Sequence, residues 1–470
     1  MIKTLSSKRK HPAGNLLLSA LVFGTIAVIM IGGLVSLGLY ENKAITARQN
    51  KEFAFQIAEA GINYYRWHLA HSPADYQDGT GGPGPYVHDY KDKDGIVIGQ
   101  FSLNITPPIL GSTLVIIEST GYLTSAPKQK RTLRVRFAIP SFAKYAVVTD
   151  NNIRYGVGTE VYGELHSNGG TQFDGVAHNV VASAKTCYND PDTWGGGSCE
   201  RPGVWTSVSP ESSVFLVGKS YPVPAVDFAG IAADLADIKT KAQAAGYYFA
   251  PSGDLGYHII LNANDTFDIY KVKKMKNKCS NWLTDPTWTI TPGQETLVAG
   301  SPFTFSANGL IFVEDNVWVN GSLDTARLTI GSAVFPSSPS TDTSIIITND
   351  ITYTHNDGQE VLGLIAQKDI LTGLESEDDL RIDAAIVAAS GYVGRPDYHY
   401  PSCNPYDHRA VITLYGMIAT YKRYGFARVD GTGYQTRNLN YDTNLLYNPP
   451  PEFPLSSDQY QLIDWQEVLP

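Results

Sequence analysis

The stretch FAFQIAEAGINYYRW, residues 53–67, decides how the N-terminal part of the chain is read. Phe53 lies 13 residues beyond the end of an apolar run, residues 16–40, and no proline occurs from Gly14 to His71. Between Tyr40 and His71 the residues Ile45, Phe53, Ile57, Ala60, Tyr64 and Leu69 recur mostly at steps of three or four, with Glu52, Gln56, Glu59, Asn63 and Arg66 between them. That spacing predicts one amphipathic helix continuous with the apolar run. HSPADYQDGTGGPGP then stops it with Pro73, Gly79, Gly81, Gly82 and Pro83. An apolar stripe on a lone helix would face water, so the chain's own sheet or a neighbouring copy must cover it.

The 25 residues from 16 to 40 carry no charge. At ~1.5 Å per residue they can cross a hydrocarbon core ~30 Å thick. A cleaved secretory signal would have a shorter apolar core and an A-x-A-like site, which does not follow here. Lys3, Lys8, Arg9 and Lys10 precede the run. Positive flanks stay in the cytoplasm, which places the remainder outside. The expected arrangement is a single-pass anchor touching lipid through residues 16–40, with the C-terminal body extracytoplasmic or on the cell surface.

The 470 residues suffice for two or three domains. A charged fraction of 17% and a net charge of −10 exclude a general nucleic-acid binder. Tyr (28) and Gly (43) indicate a β-rich, turn-rich chain. Residues 1–14 read as a basic leader and 15–71 as the long helix. Residues 72–140 read as a small antiparallel sheet completing an α+β module with the long helix, because GIVIGQFSLNIT, TLVIIESTGYL and KRTLRVRFAIP are β-branched runs separated by turns. Residues 141–430 read as a β-rich, solenoid-like body with a helical insertion near 225–246, where Phe228, Ile231, Leu235, Ile238 and Ala242 mark one face and Gly246 stops it. Residues 431–470 read as a Pro-rich tail packed across that body.

The body's fold class rests on a recurring plan. VVTDNNIRYG (147–156), FVEDNVWVNG (312–321), IITNDITYT (346–354), IAQKDILTG (365–373) and the looser IVAASGYVG (386–394) share it. Each has two apolar residues, a polar corner, and Ile or Val opening another strand. Corners at Asn316, Asp350, Asp369 and Gly391 suit coils of a β-helix, with an antiparallel β-sandwich as the alternative. Four cysteines form no C-x-x-C pair; in an exported body Cys187–Cys199 is the most local disulfide candidate, and four free thiols are the other reading.

KRKHPAGNLLLSALVFGTIAVIM followed by AFQIAEAGINYY resembles the N-terminal module of PilX-type minor pilins of type IV pilus systems, with pseudopilins as relatives. That resemblance implies leader processing between Gly14 and Asn15, a signature at Ala58, Glu59, Ala60 and Gly61, and pilus subunits and a prepilin peptidase as partners. Ser19 stands where major pilins carry Glu. The remainder, with GLIAQKDI and LLYNPPPEFP, resembles an uncharacterised bacterial surface domain and implies no activity. Glu59 is expected in solvent beside Gln56 and Asn63.

Other clusters read as structure first. HDYKDKDGIVIG places Asp92, Asp94 and Gly95 as in a calcium loop, yet Tyr90 and Phe101 occupy its end positions, which makes it a hairpin turn. Glu375, Glu377, Asp378, Asp379 and Asp383 form an acid-rich loop that on a β-helix could serve glycan cleavage. His166 with Asp174 has no nucleophile, and His399, Cys403 and His408 match no zinc spacing. Lys271, Lys273, Lys274, Lys276 and Lys278 form a basic turn. No nucleotide loop is present. The expected function is a non-enzymatic surface protein of minor-pilin type, with no cofactor, no catalytic residue and no metal site, acting in assembly or adhesion. The competing readings are a surface-anchored glycan-active enzyme and an anchored adhesin unrelated to pili.

Overall fold

The computed structural model describes residues 15–109, 111–191, 199–277, 279, 286–446, 448–457 and 459–468. The chain forms two compact units. One comprises residues 1–106, 116–136 and 464–470, and the other residues 107–115 and 137–463.

The first unit is helix α1, Asn15–His71, with a five-stranded sheet. Strands β1 (Tyr86–Lys91), β2 (Val97–Thr106), β3 (Val115–Leu123) and β4 (Arg131–Ala138) lie side by side in that order. β1 and β2 pair antiparallel, as do β2 and β3. Alternate residues of β2 and β3, including Phe101, Leu103, Val115 and Ile117, are buried, as a sheet with one covered face requires. The fifth strand, Gln461–Val468, comes from the far end of the sequence and adds to β4. It is held by Arg131 on Glu467 and by Arg136 Nη1 at 3.4 Å from Asp464 Oδ2. The expected tail of 431–470 is therefore corrected. Gly433–Tyr441 is a strand of the body and the last strand completes the N-terminal module. This pairing joins residues more than 300 apart, and nothing local in the sequence announces it.

The second unit is built on parallel ladders. Tyr247–Phe249, Leu310–Val313, Arg327–Ser332, Val361–Ala366, Asp379–Ala388, His408–Thr420, Val147–Thr149, Leu165–Ser167, Val181–Ser183 and Lys219–Ser220 follow one another, each parallel to the next. Neighbouring strands of this ladder thus pair parallel, where an antiparallel sandwich would have paired them the other way. Ile311, Ile330, Leu364, Ile386, Ile418, Val147, Leu165 and Val181 fall in one register row and all are buried. Such burial is worth about 1.5–3 kcal/mol per side chain before entropy is charged against it. Two positions on, the row reads Val313, Ser332, Ala366, Ala388, Thr420, Thr149, Ser167 and Ser183. Its buried hydroxyls tie down the corners: Ser332 donates to Asp315 O at 2.8 Å, Ser167 to Asn151 O at 2.9 Å and Ser183 to Gly169 O at 2.7 Å.

The ladder is out of chain order. The earliest strands, from Val147, pair with His408–Thr420, the strand of this ladder that comes last in sequence, and the chain then runs outward to Lys219–Ser220. It resumes at the opposite end of the ladder with Tyr247–Phe249. Helix α2, Ile231–Ala245, lies in the connection and buries Ile231, Leu235, Ile238 and Ala242 against Leu310, Phe312, Ile365 and Val387. Gly246 ends it in an extended conformation, where a Cβ would stand 2.6 Å from Leu310 O.

The corner plan needs one correction. Asn316, Asp369 and Gly391 precede strands of a single second ladder, Val317–Leu323, Ile345–Tyr353, Ile370–Thr372 and Val393–Gly394. Asp350 sits inside Ile345–Tyr353, where the register shifts, and so marks the next corner. The copy at 346–354 has the same letters displaced by one face. At the shared corner Asn316 Oδ1 accepts from Ser344 N at 3.0 Å and Asp369 Oδ1 from Tyr392 N at 2.8 Å. Gly391 leaves the space that this carboxylate fills, since its Cβ would lie 2.1 Å from Asp369 Oδ1. The prolines Pro449–Pro451 lie across two body strands, with Arg327 Nη2 donating to Pro449 O at 2.7 Å and Pro450 against Gly363.

Both cysteine pairs are joined, Cys187–Cys199 and Cys279–Cys403. The first closes 12 residues and the second 124. Cross-linking a longer loop removes more freedom from the unfolded chain, about 5 kcal/mol for the long loop against about 3 for the short one. Replacing Cys279 and Cys403 together by Ser is expected to lower the urea midpoint of the body more than the same change at Cys187 and Cys199. Equal shifts would mean that loop closure is not the source of the stabilisation.

Hydrogen bonding from Arg131 holds the Glu467 carboxyl below its ordinary value of 4.5. Its contribution is complete above pH ~4.5 and fades as pH falls through the lower folded value. Amide-exchange protection in residues 461–468 should therefore be high at neutral pH and fall in acid, and Glu467→Gln should remove the pH dependence.

Candidate anchoring and assembly site

Helix α1 divides into a bare half and a docked half. No residue from 16 to 53 is buried, and the exposed side chains of the first part are Leu, Ile, Val, Phe and Met. α1 is long and apolar enough to cross a membrane. A Cβ added at Gly24, Gly32, Gly33 or Gly38 would meet nothing within 4 Å. These small residues leave a smooth, unoccupied surface of the kind that lets helices approach closely.

Docking starts at Ala54. Ala54, Ile57, Ala58, Ile62, Tyr65 and Leu69 are buried beneath the sheet. The face differs from the expected stripe: Ile45 and Phe53 remain exposed, while Ala60 and Tyr64 are only half-buried. Both sets satisfy helical spacing, and only the position of the sheet chooses between them. The separation is set by glycines. A Cβ at Gly121 would stand 2.2 Å from Ala54 O and 2.4 Å from Ala58 N. A Cβ at Gly61 would stand 2.3 Å from Ser119 Oγ and 2.8 Å from the Phe101 ring, and one at Gly99 2.5 Å from Ile57 Cδ1.

The structure therefore brings Ala58 and Gly61 of the signature into the helix–sheet contact, and Gly99 and Gly121 are partners that sequence reasoning missed. Their only signal was a glycine inside each of two strand patterns, which indicates close backbone approach. Glu59 is half-buried where a solvent position was expected. Asn15 begins α1, and Gly14 lies outside the described residues.

The remaining sequence candidates are dispersed. Asp92 Oδ1 accepts from Asp94 N and Ile96 N, both at 2.9 Å, and so closes the β1–β2 turn. Glu375 pairs with Lys276 at 2.5 Å, while Glu377, Asp378 and Asp379 are exposed. Asp383 is fully buried, with Arg381 at 2.9 Å and Tyr353 N donating at 2.9 Å; burial pushes its pKa up. Glu375, Asp378 and Asp383 each have a partner of their own, Asp378 accepting from Ala410 N at 3.0 Å. His166 meets Asn168 at 3.0 Å and burial pushes its pKa down, whereas Asp174 accepts from Gln172, Thr206 and Ser207. Cys403 is consumed by its disulfide, and His399 and His408 contact Asp397 and Asp407. Lys271 donates to Ser252 O at 2.9 Å, Lys273 and Lys274 are exposed, and Lys278 lies outside the described residues.

The fold and this site define a chain with, among the described residues, one candidate membrane-spanning helix, a small sheet module docked on the helix's second half, and a large β-rich body. No protein-family model and no curated protein matches it. Among solved structures it is similar to the competence-associated pilin ComZ from Thermus thermophilus, at 13% identity and a TM-score of 0.35, over 89% of this chain and 97% of that one.

The glycine contact yields a direct test of the docked half. Gly121→Val must push against the helix backbone itself, at a cost of about 1–3 kcal/mol. Proteolysis between α1 and the sheet should accelerate in this variant, while Gly33→Val, which meets no atom of the chain, should leave the rate unchanged.

Proposed function

We propose that the chain is a membrane-anchored surface subunit of minor-pilin type, related in its N-terminal module to PilX-type proteins, and that it acts by assembly and display and not by catalysis. The observation that carries this reading is the division of α1 at Ala54. The sheet covers the stripe on the second half, and the first half is left for lipid or for the equivalent helices of other subunits. Glycine-smoothed apolar helices associate by packing, which suits both environments. The two disulfides favour an oxidising compartment for the body. The basic residues before residue 16 favour a cytoplasmic N-terminus. The parallel ladders, with their shared corners and aliphatic row, are read here as coils of a β-helix-like solenoid. Such a body suits display, since each coil needs only its neighbours for burial.

If a prepilin peptidase removes the leader, mass spectrometry of the native protein should find Asn15 at the N-terminus, and Gly14→Ala should retain the full leader. An uncut native chain would make the helix a permanent anchor and remove the pilin reading.

A further inference from the structure

The body's ladders are continuous where its earliest and last strands meet, with one exception. His408–Thr420 pairs with Val147–Thr149, and Gly433–Tyr441 pairs with Thr159–Tyr162. On the remaining face Ile153–Tyr155 belongs to a separate three-stranded sheet with Thr171–Phe173 and Val204–Trp205. Gly425 bridges instead to Gly394. At this break lie two overlapping cavities of about 310 and 550 Å³, sharing Arg154, Arg423, Tyr424 and Arg428.

The lining is unusual for a chain of net charge −10. Arg154, Arg423 and Arg428 stand at the rim, Arg437 and Arg395 beneath, and among the described residues no carboxylate lines either cavity. The two lower arginines are buried and held by neutral groups. Arg437 donates to Val157 O at 2.6 Å, Tyr434 O at 2.7 Å, Gln435 O at 2.9 Å and Thr159 Oγ1 at 3.2 Å. Arg395 donates to Tyr406 O at 2.6 Å, Gly373 O at 2.7 Å, Leu374 O at 2.9 Å and Ser376 Oγ at 3.0 Å, and its Nε has no partner. Carbonyl dipoles satisfy their donors but do not cancel two positive charges. At the rim, Arg428 lies 3.4 Å from Asp397, and Arg154 lies 3.8 Å from an Asp174 already engaged by three other residues. Val157 and Val429 are highly exposed beside these charges.

We propose that this cleft binds an acidic saccharide, with its carboxylate held by the rim arginines and its C–H faces on the exposed valines. Guanidinium is the side chain best shaped for bidentate carboxylate recognition. The cavities are of the size that holds a small ligand. An extended nucleic acid needs a row of cations along its backbone, and here Asp174 and Asp397 stand beside two of the three rim arginines. The proposal concerns the body alone, so it stands or falls independently of how α1 assembles.

The test is calorimetric titration of the full chain in detergent micelles with a tri-galacturonate, with maltotriose and a single-stranded hexanucleotide as comparisons. Binding of the uronate is expected, weakened about tenfold or more by Arg423→Ala/Arg428→Ala and by about 0.5 M salt. Lys273→Ala/Lys274→Ala should leave it unchanged, and Arg428→Gln alone provides a milder variant should the double change unfold the body. Absence of uronate binding, equal binding of maltotriose, tighter binding of the hexanucleotide, or indifference to both arginine variants would each overturn the proposal.

Discussion

The N-terminal module depends on one close approach. α1 meets the sheet where Gly121 lies against the backbone of Ala54 and Ala58 and Gly61 lies against Ser119 and Phe101. A helix and a sheet that touch through side chains alone slide readily, because several rotamers fill the gap comparably. Backbone against backbone leaves a single register. That register decides which side of α1 is shielded, and so which side chains stay exposed.

The body answers a different constraint. Parallel strands expose their edges unless another strand covers each one. Stacking satisfies this along most of the ladder, with the aliphatic row inside and hydroxyls fastening the corners. Because the chain enters in the middle of the ladder, two separately built stretches must join there. Two strand pairings cross the join, His408–Thr420 with Val147–Thr149 and Gly433–Tyr441 with Thr159–Tyr162. Ile153–Tyr155 pairs in a separate sheet, and the cleft with its arginines lies beside it. A binding cavity here is thus a product of chain order and not of an added loop.

Much of the architecture could be read from residues in sequence. The helix was visible in an uninterrupted apolar and then amphipathic pattern, α2 in its spacing of Ile231, Leu235 and Ile238, and the corners in Asn and Asp between β-branched pairs. What could not be read had physical causes. Amphipathic spacing puts Ile45 and Phe53 on one stripe with Ile57, Ala60, Tyr64 and Leu69, because spacing does not say where a covering sheet begins. Local pattern groups Asp350 with Asn316, because the same residue types recur ahead of a strand at Asn316 and at a register shift inside a strand at Asp350. The acids from Glu375 to Asp383 are neighbours in sequence, but the chain passes there from a loop into the strand Asp379–Ala388, which leaves Glu377, Asp378 and Asp379 exposed and Asp383 buried.

Local chemistry along the chain was enough to specify a membrane-length helix, a β-rich body and its corner residues, since each depends on periodicity and on the turn preferences of Gly, Asn, Asp and Pro. Long-range pairing settled the rest: the C-terminal strand inside the N-terminal sheet, the Cys279–Cys403 link, the entry of the chain at mid-ladder, and the gathering of Arg154, Arg395, Arg423, Arg428 and Arg437. Those residues come from stretches more than 200 positions apart. Only backbone hydrogen bonding between distant strands places them together, and that registry has no signature in any single window of sequence.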